Sequence, residues 1–339
     1  MNSIFFRRVS IVSGACALIG LSACGGGGDA APAVSPPAVQ PNTQATAVLV
    51  AKLALVTVEG LSGNANAEQA FFANFLKAVV NSSTGGSSSG GVPASCATGN
   101  AGGGTFGFTV TKVASYPGLR VGDSVSITFT NCNFGANPLT LNGTAVLTAQ
   151  ASYSVAPAYP LPDAFRLQYQ LSTSNFEFIT SVQKFRSNGI QIVDYNATAA
   201  GTGFPEINVA SGQTQYSVAI FSPPTSALPT VGFSLKPTAT IYSKLSLGNG
   251  FVSGVSGNVD VTGSSGVVPL TLQMNTRLAG RNVAGRSIPV SGDFSAKENV
   301  LNLQTRTLIQ GLNATIQADL NRDGVVDSTS TVSVFSLTN

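Results

Sequence analysis

The sequence predicts a mainly β protein, an antiparallel meander that closes as a sandwich, a half-barrel or a curved sheet, with an N-terminal helical segment packed on it. After residue 95, apolar and polar residues repeatedly alternate with period two, which is typical of strands with one buried face. Short Gly- and Asn-rich turns separate these runs, and short connections favour antiparallel neighbours. An apolar run with helical spacing precedes the strands.

The chain begins with the layout of a secretory signal peptide. Arg7 and Arg8 precede an apolar stretch at residues 9–21, which is too short to span a bilayer comfortably. The Leu-Ser-Ala-Cys sequence that ends at Cys24 resembles the bacterial lipobox, in which the cysteine is acylated and the leader is cut just before it. This resemblance implies a signal peptide at residues 1–23. An ordinary leader cut at the same bond, or one that is not cut, stays open.

The segment that follows the lipobox predicts a flexible tether. Four glycines and a Pro- and Ala-rich run indicate that residues 24–44 hold the lipidated Cys24 and a spacer that builds no core. Gly25, where a retention signal would have Asp, resembles the sorting signal of enterobacterial outer-membrane lipoproteins. This resemblance implies an outer-membrane location, facing either the periplasm or the outside.

The spacing of residues 45–81 predicts helix, with one helix up to Gly60 and a second capped by Asn64 or Asn66. The second has a stripe of apolar residues at three-and-four spacing, which predicts a face docked on the sheet. The stripe comprises Phe71, Phe72, Phe75, Leu76, Val79 and Val80. Residues 82–94 are a Gly- and Ser-rich stretch that predicts a linker.

Residues 95–339 predict the β domain. The clearest alternation is at residues 124–130, and it recurs at 270–275 and 301–304. Asn188-Gly189 favours a tight hairpin. Further turns are predicted at 248–250, 263–266 and 323–324, and Pro-rich loops or a subdomain boundary at 153–163 and 221–229.

The composition excludes several classes of function. Histidine is absent, which excludes Ser-His-Asp triads and His-based zinc sites. Charged residues make up 9% of the chain, and loss of the two leader arginines lowers the net charge from +3 to +1. Nucleic-acid binding requires clustered Lys and Arg. The sequence therefore predicts no nucleic-acid partner.

Two cysteines, Cys96 and Cys132, remain in the mature chain. A single pair in an exported protein is what an oxidising compartment would bridge, so we expect a disulfide. Two free buried thiols and a two-cysteine metal site are the alternatives.

An Asp-rich stretch near the end of the chain, residues 319–327, has the ligand types and the spacing of a calcium loop. Oxygen-bearing side chains stand at positions 1, 3, 5 and 9, with glycine at position 6, which suits a hard cation. It resembles EF-hand-type and dockerin-type loops, and more closely calcium loops in β-hairpins. Strand-like segments at residues 312–318 and 329–337 flank it, and Ser330 stands where an EF-hand has Glu. The expected ligands of this structural Ca²⁺ are Asp319, Asn321, Asp323, the carbonyl of Val325, and Asp327. A hairpin turn rich in Asp and Asn is the alternative.

The remaining carboxylates are scattered singly. A glycosidase needs two in one groove, and these can come from distant parts of a sequence, but solvated surface residues are the simpler interpretation. They include Asp123, Asp163, Glu177, Asp194, Glu206, Asp260 and Asp293.

The chain resembles a family of uncharacterised proteobacterial outer-membrane lipoproteins. The resemblance rests on the lipobox with its four glycines, the Cys96 segment, residues 122–132, Leu141-Asn142-Gly143 and the Asp-rich hairpin. It supplies no catalytic residue. We expect a non-enzymatic lipoprotein, a structural component or binding module of the envelope that contacts the membrane through its lipid and takes a lipid or protein partner, with an apolar ligand on the sheet as one option. A carboxylate-dependent hydrolase of envelope polysaccharide and a surface adhesin are the alternatives.

Overall fold

A computed structural model provides the structure of the protein. It describes residues 43–82, 88–89, 94–96, 103–114, 117–133, 139–153, 164–197, 206–211, 215–246, 250–263, 270–283, 286–298 and 300–338. The predicted signal peptide, Cys24 and most of the tether lie outside these residues.

Most of the described residues after residue 87 form strands. The first strands are β1 (Ser88–Ser89), β2 (Ala94–Ser95), β3 (Gly103–Thr111), β4 (Ser124–Asn133), β5 (Thr140–Ala149), β6 (Phe165–Ile179), β7 (Lys184–Ala197), β8 (Glu206–Ser211) and β9 (Tyr216–Phe221). The others are β10 (Val231–Leu235), β11 (Thr240–Ser246), β12 (Gly250–Gly263), β13 (Leu270–Val283), β14 (Arg286–Glu298), β15 (Leu303–Gln310), β16 (Asn313–Asp319) and β17 (Ser328–Ser333).

These strands form one antiparallel sheet, and the predicted fold class is confirmed. Hydrogen bonding runs without a break from β3 through β7, across β8 to β11, and on from β12 to β17. The strand pairs expected around residues 248–250, 263–266 and 323–324 are present, although the first two turns lie outside the described residues.

The middle of the sheet contains a crease, at which two long strands, β7 and β12, change their hydrogen-bonding partners. The first half of β7 pairs with β9 and the second half with β8. In the same way, β12 pairs first with β11 and then with β10. The crease is the line along which these partners change.

The hairpin predicted at Asn188-Gly189 was wrong, because both residues lie inside β7, at the crease. Gly189 has φ +111°, and a Cβ there would stand 2.3 Å from the carbonyl oxygen of Gln215. Its positive φ reflects the change of strand partner and the close approach of the next strand, not a chain reversal.

A single helix, α1 (Gln44–Ser82), replaces the two predicted helices. Gly60 does not end it, because the missing side chain lets the helix approach the sheet. A Cβ there would lie 2.7 Å from the ring of Phe233. Asn64 lies within the helix as a buried residue and is not a cap.

The sheet curves around α1. Gly60, Leu61 and Ser62 are all buried, and three consecutive helix positions span about 200° of the helix surface. The helix is long and apolar enough to cross a membrane, but just over half of its most apolar stretch is buried within the protein. An all-round apolar helix of this kind suits a core position.

The helix crosses the strands from one side of the sheet to the other. Gln44, at its start, contacts the last strand, β17, through a hydrogen bond to Ser330. Its final turns meet the first strands through aromatic pairs, Phe71 with Phe129 at 5.7 Å and Phe75 with Phe108 at 6.0 Å. The predicted docking of the helix is confirmed: Phe72, Leu76, Val79 and Val80 are buried, and Phe71 and Phe75 pack against the core.

Three smaller predictions need correction. Residues 88–89 and residue 94 of the predicted linker belong to β1 and β2, which pair with β3. Strand β15 begins only at Leu303, because Asn302, at φ 51°, belongs to a turn. Residues 334–337, expected to continue a strand, fall in a short helix, α2 (Val334–Thr338).

Candidate functional site

A buried polar network joins α1 to the sheet beneath the crease. Its centre is the carboxyl group of Glu68, which is almost completely buried. Ser187 of β7 donates to Glu68 Oε1 at 2.7 Å, and the hydroxyl of Tyr216 in β9 donates to Oε2 at 3.0 Å. Asn64, one helical turn earlier, donates to the same Oε2 at 3.0 Å. A single carboxyl group therefore connects the helix with β7 and β9, two of the strands at the crease.

The network continues along the next residue of the helix. The side chain of Gln69 donates from Nε2 to Gln191 Oε1 at 2.9 Å, and accepts a bond from the hydroxyl of Tyr169 at 3.0 Å. Tyr169, Gln191 and Gln69 are all buried.

Burial sets the protonation of this network. Loss of solvent raises the pKa of Glu68 above its ordinary value, while the bonds from Ser187, Tyr216 and Asn64 lower it less than burial raises it. Burial likewise raises the pKa of Tyr169 and of Tyr216 well above the usual range. The raised pKa values favour the neutral forms of these groups, which suits a hydrogen-bonded connection between elements better than proton transfer to a substrate.

A second carboxyl group on the helix, Glu59, is less well satisfied. Burial raises its pKa to about 8. Its Oε1 is buried, and among the described residues it has no hydrogen-bond partner.

The Asp-rich loop predicted to bind calcium connects β16 and β17. Asp319 accepts hydrogen bonds from the backbone N–H groups of Asp323 (3.1 Å) and Gly324 (2.8 Å). Asp323 accepts one from Val325 at 2.8 Å, and Asp327 accepts one from Leu320 at 2.7 Å.

Bonds within this loop engage oxygens of all three aspartates. Asn321 also donates to the second oxygen of Asp323 at 3.0 Å. In the part of the chain that the structure describes, no three Asp, Glu, Cys or His side chains gather as a metal site would require. Ser330 lies outside the loop, in β17, where it bonds Gln44. Calcium binding by Asp319, Asn321, Asp323, Val325 and Asp327 stays a prediction.

Cys96 and Cys132 lie at disulfide distance, with their sulfurs 2.02 Å apart. The bond links the residue after β2 to the end of β4. It therefore fastens the start of the β domain to the sheet near one of its lateral edges. Cys24 lies outside the described residues, so its acylation is likewise a prediction.

The scattered carboxylates pair with cations on neighbouring strands. Described pairs join Glu177 to Arg186 (2.7 Å), Asp194 to Arg166 (2.5 Å), Glu206 to Lys244 (3.3 Å), Asp260 to Lys236 (2.5 Å) and Asp293 to Arg306 (2.5 Å). Hydrogen bonds from arginine hold the pKa of Asp194 and that of Asp293 below the ordinary value. Asp123 instead accepts backbone bonds from Val113 and Arg120. Asp163 lies outside the described residues.

Glu68, Tyr216, Ser187 and Gln191 were not predicted from the sequence as members of this network. One signal was present: Asn64, Glu68 and Gln69 are polar residues within an otherwise apolar helix. Their strand partners are 100 to 152 residues away in sequence, so helix periodicity gave no indication of them.

Comparisons with protein-family models, with curated proteins and with solved structures found no match to this chain.

Proposed function

We propose that the chain is a non-enzymatic lipoprotein of the outer membrane, which serves as a structural component or binding module of the envelope. The observation that carries the proposal is the position of α1. The helix lies along the concave face of the sheet, and the polar groups beneath the crease are sealed between helix and sheet.

This arrangement bears on the form that binding would take. An acyl chain on the concave face would have to displace a helix of 39 residues with the apolar contacts that it makes. A partner that contacts the convex face or the loops would displace nothing. We therefore favour a structural role, or binding of a partner at the outer surface, over carriage of a lipid within the sheet.

Two of the five surface ion pairs bear on the glycosidase alternative. A glycosidase needs one carboxyl group that holds a proton near neutral pH and a second that stays ionised. Arginine holds the pKa of Asp194 and of Asp293 low. Neither side chain is therefore suited to act as the proton-donating acid.

Replacement of Cys24 by alanine tests the anchor. If acyl chains on this thiol hold the protein, Cys24→Ala will move it from the membrane fraction to the soluble fraction, and mass spectrometry will show no diacylglyceryl adduct. Cys16→Ala is the matched control, because Cys16 lies within the leader and its loss should leave the distribution unchanged. An unchanged membrane fraction and mass in Cys24→Ala would contradict the proposal.

We also propose that the Asp-rich loop takes a structural Ca²⁺. The support is the order of its oxygen donors together with its place between two paired strands. Ligand binding to the folded state alone raises stability by about 2.7 kcal/mol at a hundredfold excess over the dissociation constant. Calcium should therefore raise the unfolding midpoint of the wild type and leave Asp319→Asn/Asp327→Asn unaffected. Equal midpoints with calcium and with a chelator in the wild type would refute this site.

A further inference from the structure

The start of α1 marks where the tether enters the folded domain. Thr43 caps the helix by accepting a hydrogen bond from the N–H of Thr46 at 3.3 Å. Next to it, the Gln44 side chain donates to Ser330 at 2.7 Å and also contacts Ser328. Ser328 is the first residue of β17, directly after the Asp-rich loop. The tether thus enters beside this loop, at one end of the strands.

Two turns lie together at that end. The turn at residues 300–302 connects β14 and β15, and the loop at residues 320–327 connects β16 and β17. A hydrogen bond of 2.7 Å from the Asn302 side chain to the carbonyl oxygen of Asn321 joins them.

Both turns expose valines. Val300 is 67% exposed, Val325 63% and Val326 50%. Oxygens of Asp319, Asp323 and Asp327 accept bonds from the loop's own backbone, whereas the valines project from turns that carry no strand partner. Exposed aliphatic residues grouped at adjoining loop tips mark an interaction surface.

We propose that Val300, Val325 and Val326 form a membrane-contacting surface that inserts shallowly into the lipid bilayer to which the chain is anchored. The inference rests on the proposed lipidation. The tether to the membrane is the reason to expect a lipid surface as the partner. Thr43 follows Cys24 by nineteen residues, and a flexible chain of that length has a root-mean-square span of roughly 25 Å. The valine surface is thereby held near the bilayer at a high effective concentration, so weak insertion suffices.

The absence of tryptophan from the chain gives a direct test. Val326→Trp places a sole indole on the proposed surface. Leu312→Trp places one at the opposite end of the strands, at a turn residue that is 54% exposed. Each full-length protein is mixed with phosphatidylcholine–phosphatidylethanolamine vesicles brominated on their acyl chains, and tryptophan quenching is measured.

We expect severalfold stronger quenching for Val326→Trp than for Leu312→Trp, and loss of the difference when Val300 and Val325 are both replaced by Asp. Equal quenching at the two positions, or none at Val326→Trp, would overturn the inference whether or not the protein carries lipid. Flotation with the vesicles and the mass of the protein report the anchor separately. A floating, acylated protein with an unquenched Val326→Trp would thus overturn the contact surface and leave the proposed anchor intact.

Discussion

Replacement of Glu68 by leucine should lower the free energy of unfolding by roughly 2–6 kcal/mol, because each buried donor that loses its acceptor costs about 1–3 kcal/mol. Leucine is close to glutamate in size but accepts no hydrogen bond. Ser187 and Tyr216 would both lose the carboxyl oxygen to which they donate. Chemical denaturation followed by circular dichroism measures the change.

Glu68→Gln is the matched control for this substitution. It keeps an acceptor oxygen for Tyr216 and Asn64, and its amide group can donate to Ser187. The variant should retain wild-type stability near neutral pH. If Glu68→Leu were as stable as Glu68→Gln, the hydrogen bonds to Glu68 would not stabilise the contact between helix and sheet.

The pH profile of stability gives a second readout of the same residue. The folded-state pKa of Glu68 is raised, so its contribution is fully present below its unfolded pKa of about 4.5. This contribution is lost as the pH rises through the folded-state value. Glu59 acts in the same direction, and its contribution to stability is lost between pH values of about 4.5 and about 8. Wild-type stability should therefore fall across this range, and Glu68→Gln/Glu59→Gln should flatten the profile. A wild-type profile that rises instead would contradict these shifts.

Gly189→Ala should destabilise the fold by roughly 2–6 kcal/mol, from a backbone term of about 1–3 kcal/mol and overpacking of about 1–3 kcal/mol. The residue has φ +111°, and an added Cβ would stand 2.3 Å from the carbonyl oxygen of Gln215. The obstacle is backbone, which cannot turn away as a side chain can. The crease would have to open at the point where β7 changes partner.

Gly107→Ala is the control for this prediction. Gly107 lies within β3, and an added Cβ would meet no atom within 4 Å. Alanine there should be neutral or slightly stabilising, because glycine costs about 0.5–1 kcal/mol relative to alanine within a strand. Denaturation midpoints of the two variants compare them directly. Equal midpoints would show that the crease tolerates a side chain.

The alternation of residues 124–130 predicted β4 correctly, because a strand with one buried face leaves a local signal. Gly60 and the Asn188-Gly189 pair were misread for a common reason. Each has a strong local preference for a break, and each lies where another element approaches closely. Tertiary contact determines the conformation there, and the neighbouring sequence does not reveal it.

The candidate site was harder to predict than the fold. The presence of Glu68 in an apolar helix was visible, but its partners Ser187 and Tyr216 come from strands far along the chain. Strand alternation places these residues on the inner face without indicating which helix position they meet. The Asp-rich loop was found because its ligand pattern is contiguous in sequence, and the hairpin expected around it is confirmed.

The hydrogen bond between Gln44 and Ser330 joins residues 286 positions apart, and this has a consequence for biogenesis. In the export that we propose, the amino-terminal helix would emerge first, whereas the last strand that contacts it would emerge near the end of translocation. Until then the sheet cannot fully bury the long apolar helix, and non-local strand pairing is slow. We expect the newly exported chain to depend on a periplasmic chaperone, and C-terminal truncations to aggregate or be degraded before they mature.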